Sequence, residues 1–229
     1  MKKVITWIIS GMLTVGVSYS QSPERFYENG KVGYRNESGK IIVTPQYDAG
    51  SNFYEGIALV LQGNKRGFLN EKGEIIIPFI YDDASVFHEG LARVTQNNHY
   101  GFINKEGKII IPMEYDFADD FCSGLARVSK NKKYSFINNE GKIIISLQYS
   151  DARNFSEGLA AVKQDKWGFI NTKGEMIIPM QYDNAHSFLK GMVAVWKNEK
   201  AFYIDKKGTF VKEIEKGKEE KERESYKKK

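Results

Sequence analysis

Short apolar runs alternate with polar clusters at a fixed interval along the chain. One series reads Ile75-Ile76-Ile77, Ile109-Ile110-Ile111 and Ile143-Ile144-Ile145; a second reads Leu91-Ala92-Arg93-Val94, Leu125-Ala126-Arg127-Val128 and Leu159-Ala160-Ala161-Val162. Brief continuous runs rich in β-branched residues suit buried strands rather than helices. Ahead of each isoleucine run an Asx residue stands three places before a glycine, at Asn36, Asn70, Asn104, Asn138, Asn171 and Asp205. An Asx side chain bonds its own backbone at the start of a turn, and glycine accepts the left-handed conformation that closes it. The pattern therefore predicts a β-hairpin made six times, with the Leu-Ala-x-Val strand before it. Pro78, Pro112 and Pro179 are expected to end the apolar strands. The Tyr-Asp-x-Ala-x-x-Phe segment that follows links one unit to the next, and its aspartate is expected to cap a single helical turn.

The interval can be read on independent columns. One glycine recurs at Gly39, Gly73, Gly107, Gly141, Gly174 and Gly208, in steps of 34, 34, 34, 33 and 34. Tyr47, Tyr81, Tyr115, Tyr149 and Tyr182 form a second column, and Phe53, Phe87, Phe121, Phe155 and Phe188 a third. All slip by one residue at the same copy, which a single deletion in the Lys163 to Lys166 loop explains. Repetition at this period marks an array in which each unit buries its apolar face on its neighbours. The predicted fold is all-β, an open solenoid-like array of three-stranded meander units; a closed β-propeller is the alternative, although about 34 residues is lean for a four-stranded blade.

The ends differ from this body. Lys2 and Lys3, an apolar stretch from Val4 to Val17 and Ser18-Tyr19-Ser20 read as a secretory signal over residues 1–20, cleaved after Ser20. Its apolar stretch is short for a membrane span, which wants roughly 20 residues. Residues 21–211 form the repeat domain, with worn units at both ends, and 212–229 read as a charged, disordered tail. The mature protein is expected to be periplasmic or secreted, with no membrane span. The net charge of +5 lies mostly in the signal and tail, so bulk electrostatics give no reason to expect a nucleic acid partner.

Candidate chemistry is sparse. The single cysteine, Cys122, excludes an internal disulfide, and its column (Tyr54, His88, Cys122, Ser156, Leu189) is too mixed for a repeated nucleophile. His186 shares a column with Ser51, Ser85, Asp119 and Arg153, so it belongs to no repeated ligand set. Zinc-ligand spacing, a nucleophile elbow and a phosphate loop are all missing, and no catalytic residue, metal or cofactor is expected. Asp48, Asp82, Asp116 and Asp183 resemble a carboxylate row, but one residue repeated per unit points to a structural job such as turn formation rather than to glycoside hydrolysis.

One pair of columns suggests binding. Lys31, Lys65, His99, Lys133, Lys166 and Lys200 are each followed by Val32, Arg66, Tyr100, Tyr134, Trp167 and Ala201. Stacked in register, Lys65, His99, Lys133, Lys166 and Lys200 would form a basic ladder beside the aromatic Tyr100, Tyr134 and Trp167, suited to a sugar or an anionic polymer. The competing reading is a solvated turn whose apolar side the aromatics cover.

Lys166-Trp167-Gly168-Phe169-Ile170-Asn171, Gly174 and the Tyr-Asp-x-Ala-x-x-Phe-x-x-Gly-Leu-Ala-x-Val continuation resemble the bacterial WG repeat family, also called KWG repeats, over about residues 32–211. The Trp-Gly pair itself stands once, at Trp167-Gly168; other copies read Arg66-Gly67, Tyr100-Gly101 and Tyr134-Ser135. The resemblance implies a β-rich repeat domain and brings no catalytic residues with it. The expected function is therefore an exported, non-enzymatic module that binds a protein or glycan of the cell envelope or exterior. A structural envelope component is the alternative, and a glycan-acting enzyme comes third.

Overall fold

A computed structural model describes residues 22–214, in which every regular element is a β-strand. The expected signal, its cleavage point after Ser20, and residues 215–229 of the expected tail lie outside the described residues. The strands form six antiparallel sheets in chain order. The first has three strands, Glu24–Glu28, Lys31–Arg35 and Ile41–Tyr47. The other five have four each; the third sheet, with Asp83–Ala84, Leu91–Gln96, His99–Asn104 and Ile109–Tyr115, is representative.

The predicted three-strand meander is present in every unit, and five units add a fourth, two-residue strand from the linking segment. That segment is extended, not helical. Asp83 and Ala84 pair with Thr95 and Val94, and beyond them the Ser85 amide donates to the Arg93 carbonyl at 2.9 Å. The Arg93 amide in turn donates to the Ser85 hydroxyl at 3.1 Å. With its backbone groups taken by the neighbouring strand, the linker has no need of a helical turn. A two-residue turn closes it, with Glu89 at φ 53° and Gly90 at φ 80°, the twin left-handed pair that matches the twist of a hairpin.

The hairpin turns follow the sequence pattern. Asn70 Oδ1 accepts the amides of Lys72 and Glu74, both at 3.0 Å, and Asp205 Oδ1 does the same for Lys207 and Thr209 at 2.9 and 2.8 Å. The prolines do not end their strands. Pro112 lies inside Ile109–Tyr115, on the stretch where pairing passes from Phe102–Ile111 to Tyr100–Tyr115 and the edge strand advances four residues against two. A bulge on an edge strand leaves a residue unpaired, so the missing proline N–H is not called for. At the other end, the last strand runs from Phe210 to Glu213 and Ile214 is buried, so the ordered body extends a little past residue 211.

Apolar clusters join consecutive sheets. Phe68, Ile77 and Tyr81 of the second sheet pack with Phe87, Ala92, Val94 and Ile103 of the third. Leu91, Phe102 and Ile111 of the third pack with Phe121, Ala126, Val128 and Ile137 of the fourth. At every junction an aromatic ring from the middle of one sheet meets the linker phenylalanine of the next. The pairs are Tyr34–Phe53, Phe68–Phe87, Phe102–Phe121, Phe136–Phe155 and Phe169–Phe188, with centroids 4.7 to 5.1 Å apart. Among the described residues, no such cluster joins the sixth sheet to the first, so the array is open. The outer strand of the first sheet is mostly exposed, as an end unit requires.

Two features of this packing carry testable consequences. A Cβ added at Gly101 would lie 2.6 Å from the Ile111 carbonyl oxygen and 2.8 Å from the Met113 nitrogen, because the bulged strand passes directly over it. The same position in the fourth unit holds Ser135, fully buried, with no hydrogen-bond partner for its hydroxyl among the described residues. Gly101→Ala is expected to destabilise by roughly 1–3 kcal/mol through overpacking. Ser135→Ala is expected to stabilise by about 1 kcal/mol by removing an orphaned buried hydroxyl. Urea denaturation midpoints of the two variants check both signs.

Burial pushes the Tyr34 phenol up to about 12, with the Arg25 charge pulling the other way, and burial also raises Tyr47, Tyr81 and Tyr182. A raised folded pKa adds stability that is whole below the ordinary value of 10.0 and is lost as pH rises through the folded value of about 12. The melting temperature is therefore expected to fall between pH 10 and 12, and Tyr34→Phe to make that fall shallower.

Candidate functional site

The structure separates the two columns that sequence placed side by side. Consecutive residues of a strand point to opposite faces of the sheet. His99 and Lys133 are accordingly exposed at the hairpin ends, while Tyr100 and Tyr134 turn inward. Trp167 is only 4% exposed.

Most of the basic column is engaged by neighbouring groups of the array. Lys31 and Lys65 pair with Asp48 and Asp82 at 2.5 Å, and Lys166 pairs with Asp183. His99 Nδ1 lies 2.9 Å from the Asn97 carbonyl oxygen. Seventeen residues after Lys133, where other units carry the aspartate, stands Ser150, and neither Lys133 nor Lys200 forms an ion pair among the described residues. Each aspartate also accepts a backbone amide of the facing turn: Gly63, Asn97, Asn131 and Asn198 donate to Asp48, Asp82, Asp116 and Asp183 at 2.7 to 2.9 Å. The aspartate row is thus a set of turn clamps, the structural job that its regular repetition suggested.

Arginines, not the lysine column, cover the aromatic faces. The guanidinium of Arg93 lies over Tyr100 at 5.7 Å, that of Arg127 over Tyr134 at 5.5 Å, and that of Arg153 over Trp167 at 5.1 Å. Each of these arginines also reaches across a junction to the short strand of the next unit. Arg93 donates to the Ala118 carbonyl at 2.9 Å, Arg127 to that of Ala152, and Arg153 through Nε to that of Ala185 at 2.7 Å.

At the last two junctions this row opens onto a cavity of about 420 Å³. It is lined by Arg127, Arg153, Asn154, Ser156, His186, Ser187, Phe188 and Leu189. Arg127 is neutralised, its Nε and Nη2 both 2.7 Å from Asp119 Oδ2. Arg153 is half-buried and has no carboxylate within ion-pairing distance among the described residues. Burial depresses its pKa, the Asp151 charge opposes that shift, and the Arg127 charge adds to it. Ser156 Oγ donates to the Phe188 carbonyl at 2.7 Å, which ties the two linkers together. The buried His186 ring stands edge-on to Trp196, with centroids 4.9 Å apart. No acidic side chain lines the cavity. The arrangement is a preset positive recess with amide and hydroxyl groups around it, suited to holding an anion.

The sequence columns contained this site without showing it. Ser51, Ser85, Asp119, Arg153 and His186 occupy one position in successive units, and their variety marks them as outside any repeated set. Variety in a fixed frame is also what a local recess needs. Only the stacking shows that Arg127, Arg153 and His186, from three successive units, meet in one place.

These features define a tandem array of small antiparallel sheets whose frame recurs and whose variable polar residues gather at unit junctions. The chain belongs to the WG containing repeat family, whose model matches residues 33–65, 67–99, 100–134, 134–166 and 167–200. No curated protein matches it. Among solved structures, it is similar to a crystal structure of the eukaryotic initiation factor at 12% identity and TM-score 0.54, covering 86% of this chain and 63% of that one. It is also similar to Kluyveromyces lactis Hsv2 at 11% identity and TM-score 0.48, covering 82% and 72%. The first likeness is one of fold alone.

The clamps predict an acid response. Hydrogen bonds from Lys31, Lys65 and Lys166, and then from the turn amides, hold the carboxyls of Asp48, Asp82 and Asp183 below their ordinary value of 3.8. A depressed folded pKa adds stability present above 3.8 and lost as pH falls through the folded value. Stability is expected to drop below about pH 4. Asp82→Asn should make the loss shallower in acid melting curves, and an unchanged slope would contradict the clamp.

Proposed function

We propose that the protein is an exported, non-enzymatic binding module that holds a protein or glycan partner of the cell envelope or exterior at the junction lined by Arg127, Arg153 and His186. One observation carries this reading. The recurring polar residues are largely spent on internal bonds, whereas Arg153, Asn154, His186 and Ser187, at positions that vary from unit to unit, line one open recess whose Arg153 guanidinium has no ion-pair partner among the described residues. Repeat arrays offer such surfaces because side chains vary between units while the frame stays put. The non-enzymatic part is supported by the Ser156 hydroxyl, which is committed to a backbone carbonyl rather than left to act as a nucleophile.

The test uses the full chain produced in its own cell, carrying an affinity tag, and a gentle extract of the cell envelope. Wild type and Lys133→Glu are expected to retain the same partner, and Arg153→Gln combined with His186→Ala to lose it. Capture by the double variant equal to wild type, with its circular dichroism unchanged, would sink the junction as the binding face. Export is read separately: the chain recovered from the periplasm or medium should begin at Gln21, and retention in the cytoplasm would remove that half of the proposal.

A further inference from the structure

The same cavity carries a statement about ligand chemistry, which rests on the binding reading above. We infer that it receives an acidic sugar, a monoanionic carboxylate on a hydroxylated ring, with Arg153 as the carboxylate partner.

Charge comes first. Two arginines line the recess, but Arg127 is bound to Asp119 through two nitrogens at 2.7 Å, so its positive charge is already answered. Arg153 uses Nε on the Ala185 carbonyl, and its two remaining nitrogens meet no protein acceptor among the described residues. A planar pair of N–H donors matches the two oxygens of a carboxylate, and such charge-assisted pairs are roughly twice as strong as neutral hydrogen bonds. A single guanidinium without an ion-pair partner among the described residues favours a monoanion over a doubly charged phosphate.

Preorganisation follows. Nε is anchored, the guanidinium lies 5.1 Å over the Trp167 ring, and Trp167 is buried, so little side-chain freedom remains to be lost on binding. The unsatisfied cation is stored in the free protein: burial pulls its pKa down, and an incoming carboxylate relieves that cost.

The rest of the lining selects the body of the ligand. Asn154 and Ser187 supply an amide and a hydroxyl, groups that exchange hydrogen bonds with sugar hydroxyls. Leu189, 47% exposed, offers an apolar wall for the C–H face of a ring. A volume of about 420 Å³ falls within the roughly 300–1,000 Å³ of small-molecule sites. No other unit repeats the set, since the positions equivalent to Arg153 hold Ser51, Ser85, Asp119 and His186. Among the described residues, the set of side chains that lines this recess therefore occurs at this junction and does not form a ladder.

Trp167 and Trp196 lie beside Arg153 and His186 and report on occupancy. The full-length protein is titrated at constant ionic strength with D-glucuronate, D-galacturonate, D-glucose and inorganic phosphate, following tryptophan fluorescence and, in parallel, calorimetric heat. At least one uronate is expected to saturate, with glucose and phosphate weaker by tenfold or more. Arg153→Gln should weaken the uronate by at least tenfold, Arg153→Lys should recover only part of that, and Lys133→Glu should leave it unchanged. Asn154→Ala, at an exposed position that supports no internal bond among the described residues, should weaken it several-fold without touching the fold. Equal binding of glucose or of phosphate overturns the inference, as does uronate affinity unchanged in folded Arg153→Gln. Absence of saturation by both uronates overturns it too. If Arg153-dependent capture of an envelope partner persists in that case, the binding module stands and only its acidic-sugar ligand falls.

Discussion

The contact between an aromatic ring in the middle of one sheet and the linker phenylalanine of the next is what holds this molecule together. A four-stranded sheet of about 30 residues cannot bury enough apolar surface alone, so its stability has to come from a neighbour. Each pair, such as Phe102 with Phe121, brings two rings to 4.8 Å with their edges and faces opposed, and around it the isoleucines and valines of both sheets close. Because the phenylalanine sits on the linker, the stacking contact and the chain connection lie at the same place. Each family repeat, for example residues 67–99, begins in one sheet and ends in the next, so covalent and apolar ties reinforce one another.

Polar residues that recur serve the same end. Aspartates clamp the facing turns, asparagines shape the hairpins, and turn glutamates reach the next unit: Glu89 accepts the Gly124 amide at 2.9 Å and Glu157 the Gly191 amide at 2.9 Å. Serine stands at Ser123 in the glutamate column and at Ser150 in the aspartate column, where the Ser150 hydroxyl instead lies within hydrogen-bond distance of the Lys163 and Gln164 carbonyls at 3.2 and 2.8 Å. Beside the cavity Arg127 and Arg153 bridge to the short strand of the next unit, as Arg93 does one junction earlier.

A division of labour follows from these roles. Positions whose side chains close turns or fill junctions accept few residue types and mostly recur, whereas positions on the linkers beside the junctions have room to differ. A binding site in such an array is expected at the second kind of position, which is where Arg153, Asn154, His186 and Ser187 stand.

Sequence by itself determined the period, the all-β class, the six hairpins and the structural role of the aspartate row, because each rests on local chemistry repeated many times. Asn70 and Gly73 shape their turn from within a few residues, and no distant partner is needed to see it. The linker reads locally as a helical turn but is extended, since its backbone partners lie eight to thirteen residues away in another strand and outcompete local bonding. The ladder also looked different in sequence, where Lys133 and Tyr134 are adjacent; the pleat of a strand sends them to opposite faces. Only the tertiary structure decided that Arg127, Arg153 and His186 share one recess. Arg153 and His186 stand one repeat step apart in a single column, but Arg127 belongs to another, and it is the stacking of three successive units, set by apolar packing, that brings all three together.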